Sequence, residues 1–384
     1  MHFEFATATR IIFGAGTLTE AAPIAAEWGH KALVVTGRSA DRVRPLWESL
    51  RAKGIDSVLF AVSGEPTTET ICQGSEMARD KECDLVIGFG GGSALDAGKA
   101  IAALITNGCE PYEYLEVVGR GKPLTQPPVP YIAIPTTAGT GTEVTRNAVI
   151  LASEYRVKVS LRSPMLLPRL AVVDPELTYG LPPTVTANTG LDALTQVLEP
   201  YVSNRANPLT DALCREGLAR AARSLRRAYE RGDDVTARED MAVTSLFGGL
   251  ALANAGLGAV HGFAAVLGGQ FSAPHGAVCA RLLPCVMAVN VQALRERTPD
   301  SGSLRRYEEI SRILTGYEQA SAEDGVRWVQ ELCEALNVLP LSSYGVTRDN
   351  FADLTAKAAA ASSMQGNPIQ LTPAEMTEIL SRAW

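Results

Sequence analysis

The sequence lacks several of the features that mark particular classes of protein. It has no long run of Lys or Arg, and its 42 acidic residues outnumber its 35 basic residues, which gives a net charge of −7. Nucleic acids and anionic membranes attract basic surfaces, so we expect neither as a partner. The N-terminal residues do not combine a basic start with an apolar run. We therefore expect no export signal and a cytoplasmic location.

The cysteines also lack the patterns that signal covalent or metal crosslinks. There are seven of them, an odd number, and no two are separated by just two residues. Small secreted domains carry paired cysteines, and zinc modules carry closely spaced ones. We expect reduced thiols, with neither a disulfide framework nor a cysteine-based zinc site.

Charge is absent from Met241 to Ala280, a stretch of forty residues without Asp, Glu, Lys or Arg. Glycines and polar residues interrupt the stretch before about 18 apolar residues accumulate, which predicts a buried segment rather than a membrane span. The stretch holds two of the chain's four histidines, His261 and His275. A buried imidazole needs a hydrogen bond or a metal to offset its desolvation. One such histidine is more often a hydrogen-bonded core residue, whereas the pair favours a polar site.

The chain is long enough for two domains, and its two halves have different patterns. In the first half, short apolar runs alternate with amphipathic stretches, which is typical of a parallel sheet with helices on both faces. The second half has apolar residues at helical spacing almost to Trp384. The sequence predicts an α/β domain over residues 1–181 and an all-α domain over residues 182–384. The predicted strands are 32–36, 57–62, 85–89 and 131–134, and the predicted helices of the first half lie near 40–53, 67–80 and 94–106.

A glycine cluster follows the third predicted strand, where Gly90, Gly91 and Gly92 precede Ser93 at the start of a predicted helix. Glycines permit positive backbone dihedral angles and let main-chain amides approach an anion, and a helix N-terminus favours negative charge. The cluster is a candidate pyrophosphate site, although it matches neither the usual dinucleotide fingerprint nor a P-loop. The alternative is a plain tight turn.

A second loop, residues 136–143, follows the fourth predicted strand and contains four threonines and two glycines. Its hydroxyls and amides are expected at the carboxyl edge of the sheet, where open α/β sheets bind ligands. Two such loops indicate an extended anionic ligand, which makes the first domain a candidate nucleotide-binding domain. A solvated turn is the alternative.

Asp192 and Gln196 are four residues apart on a predicted helix and therefore share one face. If that face meets the segment that carries His261 and His275, then one carboxylate, two imidazoles and one amide oxygen converge. Such a set can hold a divalent cation. The alternative is that Asp192 caps a helix or pairs locally.

Taken together, these motifs resemble those of the iron-containing alcohol dehydrogenase family, in the same order and over nearly the whole chain. The resemblance implies NAD(P)-dependent interconversion of an alcohol with an aldehyde or ketone. It also implies a divalent metal, Fe²⁺ or Zn²⁺, a small-molecule substrate and a homodimer. The residues that carry the resemblance are Gly90–Ser93 with Asp96 and Lys99, Pro135–Glu143, Asp192–Gln196, His261 and Pro274–Gly276.

The resemblance further implies roles for individual residues. Asp192, Gln196, His261 and His275 fall on the metal-binding positions, and the two histidines would also serve catalysis. Gln196 stands where the family usually has histidine, and Ala265 replaces a further common histidine. The implied cofactor-binding residues are Gly37, Arg38, Ser39, Gly90, Gly91, Gly92, Ser93, Asp96, Thr136, Thr137, Thr140 and Lys158.

The departures from the family pattern leave alternatives open. An amide oxygen is a weaker donor than imidazole to iron or zinc. One alternative is therefore a metal-independent reductase of an oxo acid, of the maleylacetate reductase type, and another is a non-catalytic nucleotide-binding protein. For the cofactor, members that prefer NAD often carry an acidic residue where Gly37 stands, whereas Arg38 and Ser39 could contact a 2′-phosphate. This comparison favours NADP over NAD.

Overall fold

The computed structural model describes residues 2–38, 40–155 and 157–384, so Ser39, one of the predicted cofactor contacts, lies outside the described residues. The chain divides into two compact units. The α/β unit comprises residues 7–137 and 141–178, and the helical unit comprises residues 2–6, 138–140 and 179–384.

The α/β unit is built on a six-stranded parallel sheet. Its strands are β1 (Ile11–Phe13), β2 (Lys31–Thr36), β3 (Asp56–Ala61), β4 (Leu85–Gly90), β5 (Tyr131–Pro135) and β8 (Leu170–Val173). They lie in the order β1-β8-β5-β4-β2-β3, and every pairing is parallel. Two further strands, β6 (Asn147–Ala152) and β7 (Val157–Arg162), form a separate antiparallel pair. The helices of this unit are α1 (Ala21–Ala25), α2 (Arg44–Ala52), α3 (Thr68–Asp80), α4 (Gly92–Asn107) and α5 (Pro111–Tyr114).

Helices cover both faces of the sheet, because successive side chains of a strand point to opposite sides. Leu33 and Val35 of β2 belong to a core that also takes residues from α3 and α4. Ala32 and Val34 belong to a separate core with residues of α1 and α2. The predicted parallel sheet with helices on both faces is confirmed. The four predicted strands correspond to β2, β3, β4 and β5, whereas the three-residue β1 and the four-residue β8 are too short to leave a clear pattern.

The helical unit packs nine helices among its described residues around one hydrophobic core. They are α6 (Pro183–Val202), α7 (Pro208–Glu230), α8 (Val235–Ala255), α9 (Ala259–Gln270), α10 (His275–Arg297), α11 (Gly302–Thr315), α12 (Ala322–Ala335), α13 (Phe351–Ala360) and α14 (Pro373–Ala383). Every residue of α6 from Gly190 to Val202 is buried, so this helix lies at the centre of the unit. The predicted helical second half is confirmed.

The uncharged stretch forms much of α8, the whole of α9 and the start of α10. Gly256, with a positive φ of 72°, follows the last residue of α8, and α9 is bent by 99° from α8. By length and composition α10 could cross a membrane, and α8 with α9 would pass as well if the bent pair were one span. However, 83% of the apolar window of α10 is buried inside the structure, and mostly buried core helices commonly pass this test.

Candidate metal centre and nucleotide-binding loops

Helix α6 carries three buried polar side chains along one face. Asp192, Gln196 and Glu199 are spaced by four and three residues, and each is at most 4% exposed. Buried polar groups need partners, because an unpaired one retains its full desolvation cost. The groups that contact these three side chains therefore indicate the function of this face of α6.

Asp192 faces both histidines of the uncharged stretch. Its Oδ1 atom lies 3.3 Å from Nε2 of His261 and 3.8 Å from Nε2 of His275. Cys279, one turn after His275 on α10, adds a sulfur that lies 3.9 Å from His261 Nε2 and 3.6 Å from His275 Nε2. The four donor atoms all lie within 4.8 Å of one another, and together they form a group that could hold a metal ion. The sequence predicts three of these four residues but not Cys279.

Two glycines let the backbones come close enough for this convergence. A Cβ atom at Gly276, next to His275, would collide with the carbonyl group of Asn188 on α6. A Cβ atom at Gly258, just before α9, would lie 2.9 Å from Oε1 of Glu199. Both glycines thus serve close approach, which any larger residue would prevent.

Glu199 fixes the orientation of His261. Its Oε2 atom lies 2.7 Å from Nδ1 of His261, and its Oε1 atom accepts a hydrogen bond of 2.7 Å from the backbone N–H of Val260. A carboxylate on one ring nitrogen leaves the other nitrogen free as a ligand and raises its basicity. Sequence reasoning missed Glu199. The available signal was its spacing of seven residues from Asp192, which places both on the same helical face.

The charges around the site favour a cation. Burial opposes protonation of His261, but Cys279, Asp192 and Glu199 outweigh burial and raise the pKa of this imidazole well above its usual value. The pKa of His275 is also raised, because Cys279 and Asp192 overcome its burial. Burial alone would raise the pKa of Asp192, but His275 and His261 lower it. A site that draws protons onto two imidazoles is one where positive charge is stabilised.

The side-chain amide of Gln196 contacts its surroundings through its nitrogen atom. Its Nε2 atom donates a hydrogen bond of 3.2 Å to the carbonyl of Gly139, and the amide also helps to lower the pKa of Asp192 by hydrogen bonding. The buried Oε1 atom of Gln196 and the buried Oδ1 atom of Asp192 have no hydrogen-bond partner.

One residue of the donor group, His275, is partly exposed to solvent. The side chain of His275 is 30% exposed, whereas those of Asp192 and His261 are 2% and 7% exposed. Cys279 is fully buried. A ligand that reaches the donor group therefore meets His275 first.

In the α/β unit, the glycine cluster leads from β4 into α4. Gly91 is the N-cap residue of α4 and is extended, with φ −76° and ψ −176°. Gly90, Gly91 and Gly92 all lack a positive φ, so left-handed backbone does not account for these glycines. Gly90 is required by close packing, because a Cβ atom there would lie 2.7 Å from Cβ of Ala94. The first N–H groups of this 16-residue helix have no partner within the helix and can meet an anion.

The threonine-rich loop follows β5, the strand next to β4. The backbone N–H of Thr136 donates to the carbonyl of Gly90 at 2.9 Å, and Thr137 lies beside Gly91. Thr140 belongs by its contacts to the helical unit. Gly141 has a positive φ of 59°, and here the left-handed backbone does require glycine.

Asp96, a predicted cofactor contact, instead directs its carboxylate at the protein. It accepts hydrogen bonds from Oγ1 of Thr142 and, at 3.2 Å, from the backbone N–H of Val149. The buried Lys99 donates from Nζ to three backbone carbonyls within residues 142–147, at 2.7 to 3.0 Å. These contacts hold the end of the threonine-rich loop in place.

The remaining predicted cofactor residues lie at different kinds of position. Gly37 directly follows β2, and a Cβ atom there would meet no atom of the described residues within 4 Å. Arg38 is exposed. Ser93 lies in the first turn of α4. Lys158 on β7 is 6% exposed and forms an ion pair of 2.8 Å with Glu65.

Comparison with known proteins places both units in one family. The family model described as iron-containing alcohol dehydrogenase matches residues 8–175, and the model of the Fe-containing alcohol dehydrogenase family, C-terminal, matches residues 186–384. Alcohol dehydrogenase 4 of Schizosaccharomyces pombe is 37% identical over 381 residues, which cover 97% of this chain and 87% of that protein. The 1,3-propanediol dehydrogenase of Klebsiella pneumoniae is 34% identical over 364 residues, covering 93% and 92%. The crystal structure of a 1,3-propanediol oxidoreductase is 31% identical, with a TM-score of 0.93 and full coverage of both chains.

The chain therefore belongs to the iron-containing alcohol dehydrogenase family. It is an oxidoreductase that acts on CH–OH groups, as an NAD(P)-dependent alcohol dehydrogenase or carbonyl reductase. The predicted family and the leading predicted activity are confirmed.

Proposed function

We propose that this protein is a metal-assisted, NADP-preferring dehydrogenase of a small alcohol, or reductase of the corresponding aldehyde or ketone. The observation that carries the proposal is the convergence of Asp192, His261 and His275, with the buried Oδ1 of Asp192 left without a hydrogen-bond partner. Such an unpaired anionic oxygen between two imidazoles fits a divalent cation. Gln196 stands at the fourth metal-binding position of the family, where histidine is usual.

We assign dinucleotide binding to residues 1–181, and metal and substrate binding to residues 182–384. The N-terminus of α4 is the proposed pyrophosphate site, through Gly90, Gly91, Gly92 and Ser93. The proposed contacts at the nicotinamide end are Thr136, Thr137, Thr140 and Lys158, and Asp96 acts by holding the threonine-rich loop through Thr142.

When bound, the metal supplies a Lewis acid that polarises the alcohol or carbonyl oxygen, and the nicotinamide carries the hydride. The chain's own residues prepare this chemistry. Glu199 keeps the Nδ1 proton of His261 in place, so that Nε2 points towards Asp192 as a lone-pair donor. The apolar surroundings of Asp192 and His261 exclude water, and the partly exposed His275 lies where a substrate would enter.

The preference for NADP rests on the end of β2. Gly37 provides no carboxylate to hold ribose hydroxyls or to repel a 2′-phosphate, and the exposed Arg38 can pair with one. For location and assembly, we propose a cytoplasmic homodimer with neither nucleic acid nor membrane partners. The seven free cysteines and the net charge of −7 support this location and the absence of those partners.

A cofactor-oxidation screen tests the proposal. Protein stripped with a chelator is assayed with NADH or NADPH on a panel of aldehydes, ketones and oxo acids, before and after Fe²⁺ or Zn²⁺ is restored. We expect no turnover without metal, recovery with metal, and faster turnover with NADPH.

Other results of the screen would support the alternatives. Full activity of metal-free protein on an oxo acid would favour a metal-independent reductase of the maleylacetate reductase type. Absence of NADH and NADPH oxidation on the whole panel, with nucleotide binding retained, would favour a non-catalytic protein.

A further inference from the structure

Cys279 is the member of the donor group that sequence reasoning did not predict. It lies four residues after His275 on α10, so both side chains share one helical face. Its sulfur is fully buried, and its hydrogen-bonding contacts are Nε2 of His261 and Nε2 of His275. A thiol placed between the lone-pair nitrogens of two imidazoles and a carboxylate is in a ligand position.

Two of the separations between donor atoms match those of a tetrahedral metal site, which a substrate oxygen would join as a fifth ligand. Metal–nitrogen and metal–oxygen bonds of about 2.0–2.1 Å and a metal–sulfur bond of about 2.3 Å, arranged as a tetrahedron, place N and O about 3.3–3.4 Å apart and N and S about 3.5–3.6 Å apart. Asp192 and His261 are separated by 3.3 Å, and Cys279 and His275 by 3.6 Å. Asp192 and His275, at 3.8 Å, and Cys279 and His261, at 3.9 Å, are a few tenths farther apart, and all six separations lie within 4.8 Å.

Gln196 is less suited to the fourth position. Its Nε2 atom donates to the carbonyl of Gly139, so the buried Oε1 atom is the one donor that it could offer to a cation. An amide oxygen is also a hard, neutral donor, whereas zinc and iron sites prefer imidazole and thiolate. Position 196 thus offers no imidazole, whereas a thiol lies one helical turn after His275.

We infer that Cys279 binds the metal as a thiolate, as the fourth protein ligand beside Asp192, His261 and His275, and so compensates for the missing histidine at position 196. This inference rests on the proposed metal-assisted function. On binding, the sulfur–metal bond forms, the S–H bond breaks, and the proton leaves to solvent. Two anionic ligands neutralise a divalent ion, and the thiolate selects a borderline-soft cation, Zn²⁺ rather than Mg²⁺.

Cobalt substitution tests the inference without relying on turnover. Stripped protein is titrated with Co²⁺, and thiolate coordination is read from the sulfur-to-cobalt charge-transfer absorption in the near ultraviolet. Zn²⁺ affinity is measured separately by competition with a chromophoric chelator. We expect the wild-type protein to show the charge-transfer band, and Cys279→Ala to lose it together with about 10²-fold or more in Zn²⁺ affinity.

Two further variants provide controls. Cys214→Ala removes another fully buried thiol of the helical unit, from α7, and should keep both the band and the affinity. Gln196→Ala should keep the band and most of the affinity. If Cys279→Ala fails to fold, Cys279→Ser is used, and wild-type Cys279 is also tested directly for protection from alkylation by Zn²⁺, with the modified peptide measured by mass spectrometry.

The results distinguish failure of this inference from failure of the proposed function. If the wild-type protein binds Co²⁺ without a charge-transfer band, and Cys279→Ala binds Zn²⁺ as tightly, then the metal site stands and Cys279 is not a ligand. If the wild-type protein binds neither Co²⁺ nor Zn²⁺, both the inference and the metal-assisted function are wrong.

Discussion

The two candidate sites of this protein are built in opposite ways. In the α/β unit, the nucleotide-binding loops consist mainly of backbone and small residues that follow neighbouring strands, such as Gly90 after β4 and Thr136 after β5. In the helical unit, the candidate metal site consists of large side chains from three helices, and Glu199 and His261, in direct contact, are 62 residues apart in sequence. A backbone site tolerates change as long as the main chain keeps its path, whereas a side-chain site depends on every donor.

The side-chain site should therefore show the largest single effect. Asp192→Asn removes the anionic oxygen between the two histidines, and we expect loss of bound metal with a fall in kcat on the order of 10³-fold. Metal content by mass spectrometry and steady-state kinetics measure both. Thr195→Val, on the same helix, is the control, because the Thr195 hydroxyl donates to Leu191 within α6. An Asp192→Asn protein that keeps metal and turnover would contradict the proposed ligand set.

The α/β unit offers a test based on pH rather than on metal. Burial raises the pKa of Glu143, at the end of the threonine-rich loop, from 4.5 to about 7. The folded state then holds this proton more tightly than the unfolded state, so the contribution to stability is complete below about pH 4.5 and is lost as pH rises through about 7. The maximum loss corresponds to about 3 kcal/mol in the free energy of unfolding.

We expect Glu143→Gln to abolish most of this fall in stability, measured by urea unfolding between about pH 5 and pH 7.5. Burial lowers the pKa of the neighbouring Lys99 to about 8, so its titration lies above this range. The exposed Glu318→Gln should retain the wild-type pH profile. Equal losses of stability in the wild-type and Glu143→Gln proteins over this range would mean that the carboxyl of Glu143 does not hold its proton more tightly in the folded state.

A smaller effect should come from the residue that orients a ligand without touching the metal. Glu199→Gln keeps the shape of the side chain but replaces a carboxylate on His261 Nδ1 with an amide, and we expect Zn²⁺ affinity to fall about 10–100-fold. Competition with a chromophoric chelator measures the affinity. Glu309→Gln, which breaks a contact with Arg215 instead, is the matched control. A lower Tm with unchanged affinity would show that Glu199 is structural only.

The smallest effect should come from the backbone-built site. Gly37→Asp places a carboxylate where there is open space and no positive φ to strain, and we expect the ratio of kcat/KM for NADH to that for NADPH to rise about tenfold. Gly302→Asp adds the same charge in open space at the start of α11 and should leave the ratio unchanged. An unchanged or greater preference for NADPH in Gly37→Asp would overturn the placement of the adenosine ribose beside β2.

Local patterns carried most of the prediction of the α/β unit. The strands β2, β4 and β5 are apolar runs of five or six residues bounded by polar or glycine-rich turns, and each was recognisable without knowing its neighbours. The antiparallel pair β6 and β7 was missed, because its alternating burial depends on which side faces the protein. The glycine cluster was found, but the close packing of Gly90 against Ala94 could not be seen from sequence.

The metal site could be predicted only in part. Asp192, His261 and His275 stood out as polar residues in apolar surroundings and through the family resemblance. Glu199 and Cys279 were missed, because one more Glu and one more Cys among many have no local signal until the helix faces are known. The expectation of no cysteine-based zinc site relied on short Cys–Cys spacing, which gives no signal for a single cysteine that lies beside donors from α6 and α9.

The sequence by itself determined the alternation of strands and helices, the glycine and threonine loops and the family. These features depend on the periodicity and composition of short segments, which act locally. Only the tertiary structure decided which buried polar atoms meet. The approach of α10 to α6 at Gly276 and of Glu199 to α9 at Gly258 is a matter of packing between distant segments. The same packing brings the sulfur of Cys279 to the two imidazoles.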